Sequence, residues 1–220
     1  MTGVLLPLLY HVTPLHYLPH ILHDGALYAK SVLAASGIAP RASAARRDRM
    51  LGLADWVHLS LAPDTPLLRD KLRLGYPHAL LLFDREAVLG LPQVALLPYN
   101  TKAWRSRAAC RPVTDESEMA ALLRRHADTG RFPSLEVLVQ YGLDLAHLVQ
   151  VAFVTDEERL VVAALLDALA LPPPAPLVTA LELFPGAESY APTTGERVAA
   201  YFESCRAAGL LLPPPAIPFD

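Results

Sequence analysis

Leu135-Glu136-Val137-Leu138-Val139 is an apolar run that carries a single acid and follows a glycine/proline loop, Gly130-Arg131-Phe132-Pro133. A short apolar run rich in valine and leucine, bounded by such a loop, predicts a strand. Side chains alternate along a strand, so Glu136 and Leu138 share a face. Glu136 then has two readings: a fixed carboxylate at a functional site, or a solvated glutamate on an edge strand. As the one acid of its strand it is the natural candidate for chemistry.

Upstream of that loop, the spacing predicts a helix over Glu116–Ala127, whose apolar side is Met119, Leu122 and Leu123. Beyond Glu136 come a strand over His147–Val154 and a helix over Glu157–Ala170. Upstream, strands are predicted at Val94–Leu97, Ala79–Phe83 and Trp56–Leu61, with short helices at Arg85–Leu89 and Thr65–Leu74. Ser31–Arg49 is small, polar and Arg-rich and reads as a loop with at most one helical turn. Val4–Tyr10 reads as the first strand, His11-Val12-Thr13-Pro14 as a turn out of it, and Pro14 to Gly25 as a helix with Leu15, Leu18, Ile21 and Leu22 on its apolar side. Pro172–Pro176 is a linker, followed by a short strand (Val178–Leu183), a helix from Thr194 to Ala208 and a Pro-rich surface tail. Strands interleaved with short helices and long loops predict an α+β fold, a mixed β core over residues 1–170 with an appendage over 171–220.

With 220 residues, 53% apolar and 19% charged, the chain has ample material for a core and is not a disordered protein. No apolar stretch is long enough for a membrane span. Met1–Tyr10 is apolar but has no basic start and no small-residue cleavage site, so it predicts a strand and not a signal peptide. Cys110 and Cys205 lack metal-ligand spacing, and the expected compartment is a reducing cytoplasm. Residues 1–111 carry 10 Arg and 3 Lys against 7 acids, and residues 112–220 carry 6 Arg against 15 acids. A basic half beside an acidic half suits a polyanion or a dinucleotide meeting one face, unless folding mixes the charges in space. No phosphate loop, dinucleotide fingerprint, nucleophile elbow or zinc signature is present. His16, His20 and His23 fall on one helix face, yet no carboxylate or Cys cluster completes a metal set, so no metal is expected and a solvated polar face is the default.

Four stretches, in order, resemble the DarT-type ADP-ribosyltransferases, which modify bases of single-stranded DNA. The first is Tyr10-His11-Val12-Thr13 with Leu18, Ile21, Leu22 and Gly25. The second is Asp55-Trp56-Val57-His58-Leu59-Ser60-Leu61-Ala62-Pro63-Asp64-Thr65-Pro66-Leu67. The third is Tyr99-Asn100-Thr101-Lys102-Ala103, and the last is the Glu136 strand with Leu145 and Val149–Val151. Together they span about residues 5–155. The chain departs from the family at His16-Tyr17, where its members often carry Asn. The resemblance implies an ADP-ribosyltransferase fold, NAD as co-substrate, NAD binding by His11 and Thr13 in a motif that includes Tyr10 and Gly25, and Glu136 as the catalytic glutamate. It also implies a functional arginine near Arg46-Arg47-Asp48-Arg49, for which Arg47 and Arg49 are equal candidates and Arg46 a third, against a solvated basic loop. Family members usually act as toxins restrained by a macrodomain-type antitoxin, which makes such an antitoxin the expected partner.

The chemistry can be argued from the residues themselves. Breaking the bond between nicotinamide and ribose passes through an oxocarbenium-like sugar, as in glycoside hydrolysis. A fixed carboxylate beside that sugar favours its positive charge and can accept a hydrogen bond from its hydroxyl. His11 and Thr13 offer an imidazole and a hydroxyl to a ribose or an amide, or else are buried and bonded to backbone. Lys102, Trp104, Arg105 and Arg107 interleave cations with an aromatic, which suits a single-stranded nucleic acid, with Trp104 either stacking on a base or anchoring the core. Together with this chemistry, the resemblance implies transfer of ADP-ribose from NAD to a base of single-stranded DNA, with the loop Thr129–Ser134 helping to choose the substrate. Its alternatives are RNA, protein or water as acceptor, or a catalytically silent module that docks a partner through residues 177–220.

Overall fold

The computed structural model describes residues 8–37, 45–73, 77–129, 135–187 and 195–207. In chain order the elements are β1 (Leu8–Pro14), α1 (Leu18–Asp24), β2 (Ala26–Tyr28), α2 (Lys30–Ala35), α3 (Ala45–Leu51), β3 (Trp56–Ser60), α4 (Pro66–Arg73), β4 (His78–Asp84), α5 (Arg85–Leu89) and β5 (Val94–Leu97). They continue with α6 (Glu116–Thr129), β6 (Glu136–Gln140), β7 (Gly142–Asp144), β8 (Leu148–Phe153), α7 (Asp156–Ala168), β9 (Leu177–Thr179) and α8 (Gly195–Ala207). Seven strands form one sheet in the order β5-β6-β3-β1-β4-β8-β9, and β2 pairs with β7. This is the α+β architecture that the interleaving predicts. No helix among the described residues is long and apolar enough to cross a membrane.

Two compact units make up the chain. One holds Leu27–Ala62 and Asp84–Leu143 with the start of the chain, and the other holds Tyr10–Ala26, Pro63–Phe83 and Asp144–Asp220. In the first, β6 runs antiparallel to both neighbours, with Glu136 opposite Ser60 of β3 and Leu97 of β5. The outer side of β5 is covered at Leu96, whose N–H and C=O both bond Val113. One face of these strands packs Ala95, Leu97 and Leu138 against Leu51, Leu53 and Cys110. In the second, His78–Phe83 of β4 is buried on both faces. There β8 pairs antiparallel with β4 and parallel with β9, so the segment after the proline-rich linker contributes a strand to the sheet. A capping box starts α7: the Thr155 hydroxyl accepts from the Glu158 N–H, and the Glu158 carboxylate accepts from the Thr155 N–H.

The structure corrects the sequence reading at several points. His11-Val12-Thr13-Pro14 is not a turn but the second half of β1. A residue before proline is driven to extended backbone, and Pro14 itself is extended at φ −59°, ψ 141°, so the motif prolongs the strand. Ser31–Arg49 is not a simple loop, because Ala, Leu, Arg and Met are good helix formers and build α2 and most of α3. The strand expected over Val178–Leu183 is β9 followed by a single 3-10 turn, Leu181–Leu183. The expected strand over Val4–Pro7, the expected loop over 130–134 and the expected tail over 213–220 lie outside the described residues.

Candidate active site

Glu136 opens β6, an interior strand of its unit, and is 7% exposed. The edge-strand reading of this residue therefore does not hold. A carboxylate buried to this degree needs donors, and it has one on each oxygen. Asn100, in the turn after β5, donates its Nδ2 to Oε1 at 2.8 Å, and His58 Nδ1 lies 3.0 Å from Oε2. His58 pairs with Leu138 in the β3–β6 register, which makes it the diagonal neighbour of Glu136 on the same face. Diagonal neighbours lie within reach of long side chains. An ionised carboxylate has about four lone-pair sites, so two donors leave about half of its accepting capacity for a sugar hydroxyl.

Behind His58 stands a second acid. Asp48 of α3 is 1% exposed and is bonded to Lys30 of α2. Its Oδ2 is 3.9 Å from His58 Nε2, and its Oδ1 accepts no hydrogen bond among the described residues. Beside it in sequence, Arg47 donates Nε to the Thr101 carbonyl at 3.0 Å and Nη2 to the Trp104 carbonyl at 2.7 Å. That guanidinium ties α3 to the turn that carries Asn100. Trp104 is half-buried against the Leu51–Leu138 cluster, its Nε1 donates to the Tyr99 carbonyl at 3.0 Å, and its ring meets that of Tyr99 at 5.9 Å. Tyr99 is 53% exposed.

Cys110 is buried in the same cluster. Burial raises its thiol above the ordinary value of 9.0, and the Glu136 and Asp48 carboxylates raise it further. A raised acid favours the neutral thiol in the fold, so its contribution to stability is present below the ordinary thiol range and fades as pH rises through the higher value. Since the thiolate is the reactive species, iodoacetamide at pH 8 is expected to leave Cys110 unmodified in folded protein and to alkylate it in urea. Peptide mass mapping checks this, and equal labelling in both states would contradict it.

The other residues singled out in the sequence are distributed as follows. Tyr10, His11 and Thr13 lie on β1, where alternation gives His11 and Thr13 one face. Tyr10 and Thr13 are buried, His11 is half-buried, and burial raises the Tyr10 phenol above its usual value. Gly25 ends α1 in the left-handed region at φ 70°, and its carbonyl accepts from the Leu145 N–H at 2.8 Å. These four belong to the second unit, and Glu136 with Arg47 belongs to the first. Arg46, Arg49, Arg105 and Arg107 are exposed, and Lys102 sits in the 3-10 turn Thr101–Ala103. The His16 ring lies 4.1 Å from that of Tyr17, tilted by 50°, and His23 Nδ1 is 3.0 Å from Asp24 Oδ1. Among the described residues no three His, Cys, Asp or Glu side chains gather as a metal group would. The sequence reading did not single out His58, Asn100, Asp48 or Lys30 as site residues. The sequence offered two signals, a histidine inside the predicted strand Trp56–Leu61 and one acid amid three arginines.

No protein-family model matches the sequence, and no curated protein matches it. Solved structures do resemble it. Thermus sp. 2.9 DarT in complex with ADP-ribosylated ssDNA superposes with a TM-score of 0.62 at 18% identity, covering 81% of this chain and 96% of that one. The same protein in complex with NAD+ gives 0.59 at 18% identity, covering 81% and 97%. Thermosipho africanus DarTG in complex with ADP-ribose gives 0.62 at 13% identity, covering 81% of this chain and 51% of that one. The chain thus has the DarT ADP-ribosyltransferase fold.

Proposed function

We propose that this protein is an NAD-dependent ADP-ribosyltransferase that transfers ADP-ribose to a base of single-stranded DNA. The observation that carries the proposal is the buried, doubly bonded Glu136 carboxylate on an interior strand of a fold shared with DarT. The neighbours' complexes with NAD+ and with ADP-ribosylated ssDNA support the same substrates here.

In this reading NAD meets His11 and Thr13, with Tyr10 and Gly25 shaping their surroundings. Glu136 accepts a hydrogen bond from the ribose next to nicotinamide. As the C–N bond breaks, nicotinamide leaves with the electron pair and positive charge grows on the sugar, where the carboxylate favours it. A base nitrogen attacks the exposed sugar carbon, and its proton passes to Glu136. Arg47 or Arg49 would serve the phosphates. Arg47 already holds two backbone carbonyls, so Arg49, exposed and on the same helix, has the freer guanidinium for that task. Lys102, Trp104, Arg105 and Arg107 would meet the DNA strand. A toxin role with a macrodomain-type antitoxin is part of this proposal and follows from the resemblance.

Nicotinamide release from NAD, with and without a mixed-sequence DNA oligonucleotide, tests the reading. Release that rises with oligonucleotide supports it. Release independent of nucleic acid indicates an NAD glycohydrolase instead. Neither release nor NAD binding would point to a catalytically silent module.

A further inference from the structure

His58 is absent from the chemistry above, yet it touches the residue on which that chemistry depends. We infer that His58 is a positioning residue that holds Glu136 in its working rotamer, an inference that rests on the reading of Glu136 as the carboxylate at the ribose. The two donors to Glu136 come from different kinds of backbone. Asn100 lies in a turn, whereas His58 is borne by β3, the strand hydrogen-bonded to the glutamate's own strand. A strand-borne donor fixes a geometry more closely than a loop-borne one. The ring is itself confined, because Asp48, nearly fully buried and bonded to Lys30, stands 3.9 Å from Nε2 on its far side. That distance is beyond a hydrogen bond, so Asp48, neutralised by Lys30, bounds the ring without bonding it. An ionised carboxylate only accepts, so the Nδ1 facing Glu136 is the protonated nitrogen. The His58 side chain keeps 19% exposure against 9% for Glu136, so it is the more open of the two.

The role separates from a merely structural one through the choice of replacement. Asn places its amide nitrogen near the position of Nδ1, Gln reaches toward Nε2 instead, and Leu keeps volume with no donor. His58→Leu is expected to lower kcat for nicotinamide release about 10- to 100-fold, the usual effect of a displaced catalytic group, with KM for NAD changed less than about threefold. His58→Asn is expected to recover most of that loss, and His58→Gln little of it. A leucine variant that retains wild-type kcat, or an asparagine variant no better than glutamine when both melt at the same temperature, would overturn the inference. Should the leucine variant not fold, the asparagine–glutamine comparison decides alone.

A crystal structure of a folded His58 variant supplies a readout that does not depend on activity. The carboxylate of Glu136 is expected to leave its position beside Asn100 in His58→Gln and to keep it in His58→Asn. An unmoved carboxylate in the glutamine variant would overturn the inference. If the wild-type protein releases no nicotinamide and binds no NAD, the reading of Glu136 falls, and this structural comparison still decides what His58 does to it.

Discussion

Glu136→Gln is expected to cut nicotinamide release about 100- to 1000-fold, the range for removing one preorganised electrostatic contact to a transition state. The substitution keeps shape and removes charge. It also introduces a conflict: the wild-type carboxylate accepts from Asn100 on one oxygen and faces His58 Nδ1 on the other. The new amide has one acceptor and one donor, so one of those contacts becomes donor against donor unless the imidazole changes tautomer. The variant should therefore also melt below wild type. Steady-state release and thermal melting measured on the same sample separate the two effects, since about 1 kcal/mol of destabilisation in a protein several kcal/mol stable leaves nearly all of it folded. A fully folded variant with wild-type turnover would remove Glu136 from the mechanism.

The second large effect concerns stability. Lys30→Met is expected to destabilise the protein by about 3 kcal/mol, the lower end of the cost of stranding a buried charge. Asp48 is 1% exposed and Lys30 is its charge-neutralising partner, with the lysine's own 21% exposure tempering the loss. The double variant Lys30→Met/Asp48→Leu should recover most of it, because replacing a buried pair with apolar side chains of like volume is often neutral or favourable. Urea unfolding of the three proteins, fitted with a common slope, checks both expectations. If the single variant matches wild type, the ion pair is not what holds Asp48 in place.

Much of the fold was legible in local pattern. The apolar run Val94–Leu97 is β5 to the residue, and α5 and α6 begin where predicted. Elements too short to show a period were not legible: β2 and β7 have three residues each. The segment around Arg46 and Arg47 misled because its arginines and alanines suit both a basic loop and a helix, and packing of Ala45, Asp48 and Leu51 decides for the helix. The strand order follows from long-range pairing and has no local trace.

Of the candidate site, the sequence singled out Glu136 and not the side chains bonded to it. Glu136 stood out because an acid inside an apolar strand is unusual, and sequence alone could not tell an interior strand from an edge. His58 lies 78 residues from it, and the two meet only because β3 and β6 pair in a register that sets them on one diagonal. Lys30 and Asp48 lie 18 residues apart on separate helices, with no spacing rule to join them. Trp104 shows how two readings can share one side chain, since it is packed against the Leu51–Leu138 cluster and still partly open beside the exposed Tyr99.

The central claim is tested most directly by mass spectrometry of a mixed-sequence single-stranded DNA oligonucleotide after incubation with NAD and protein. The proposed function predicts an oligonucleotide heavier by one ADP-ribose with the wild-type protein and unchanged with Glu136→Gln. An unmodified oligonucleotide with a wild-type protein that binds NAD and is fully folded would contradict it.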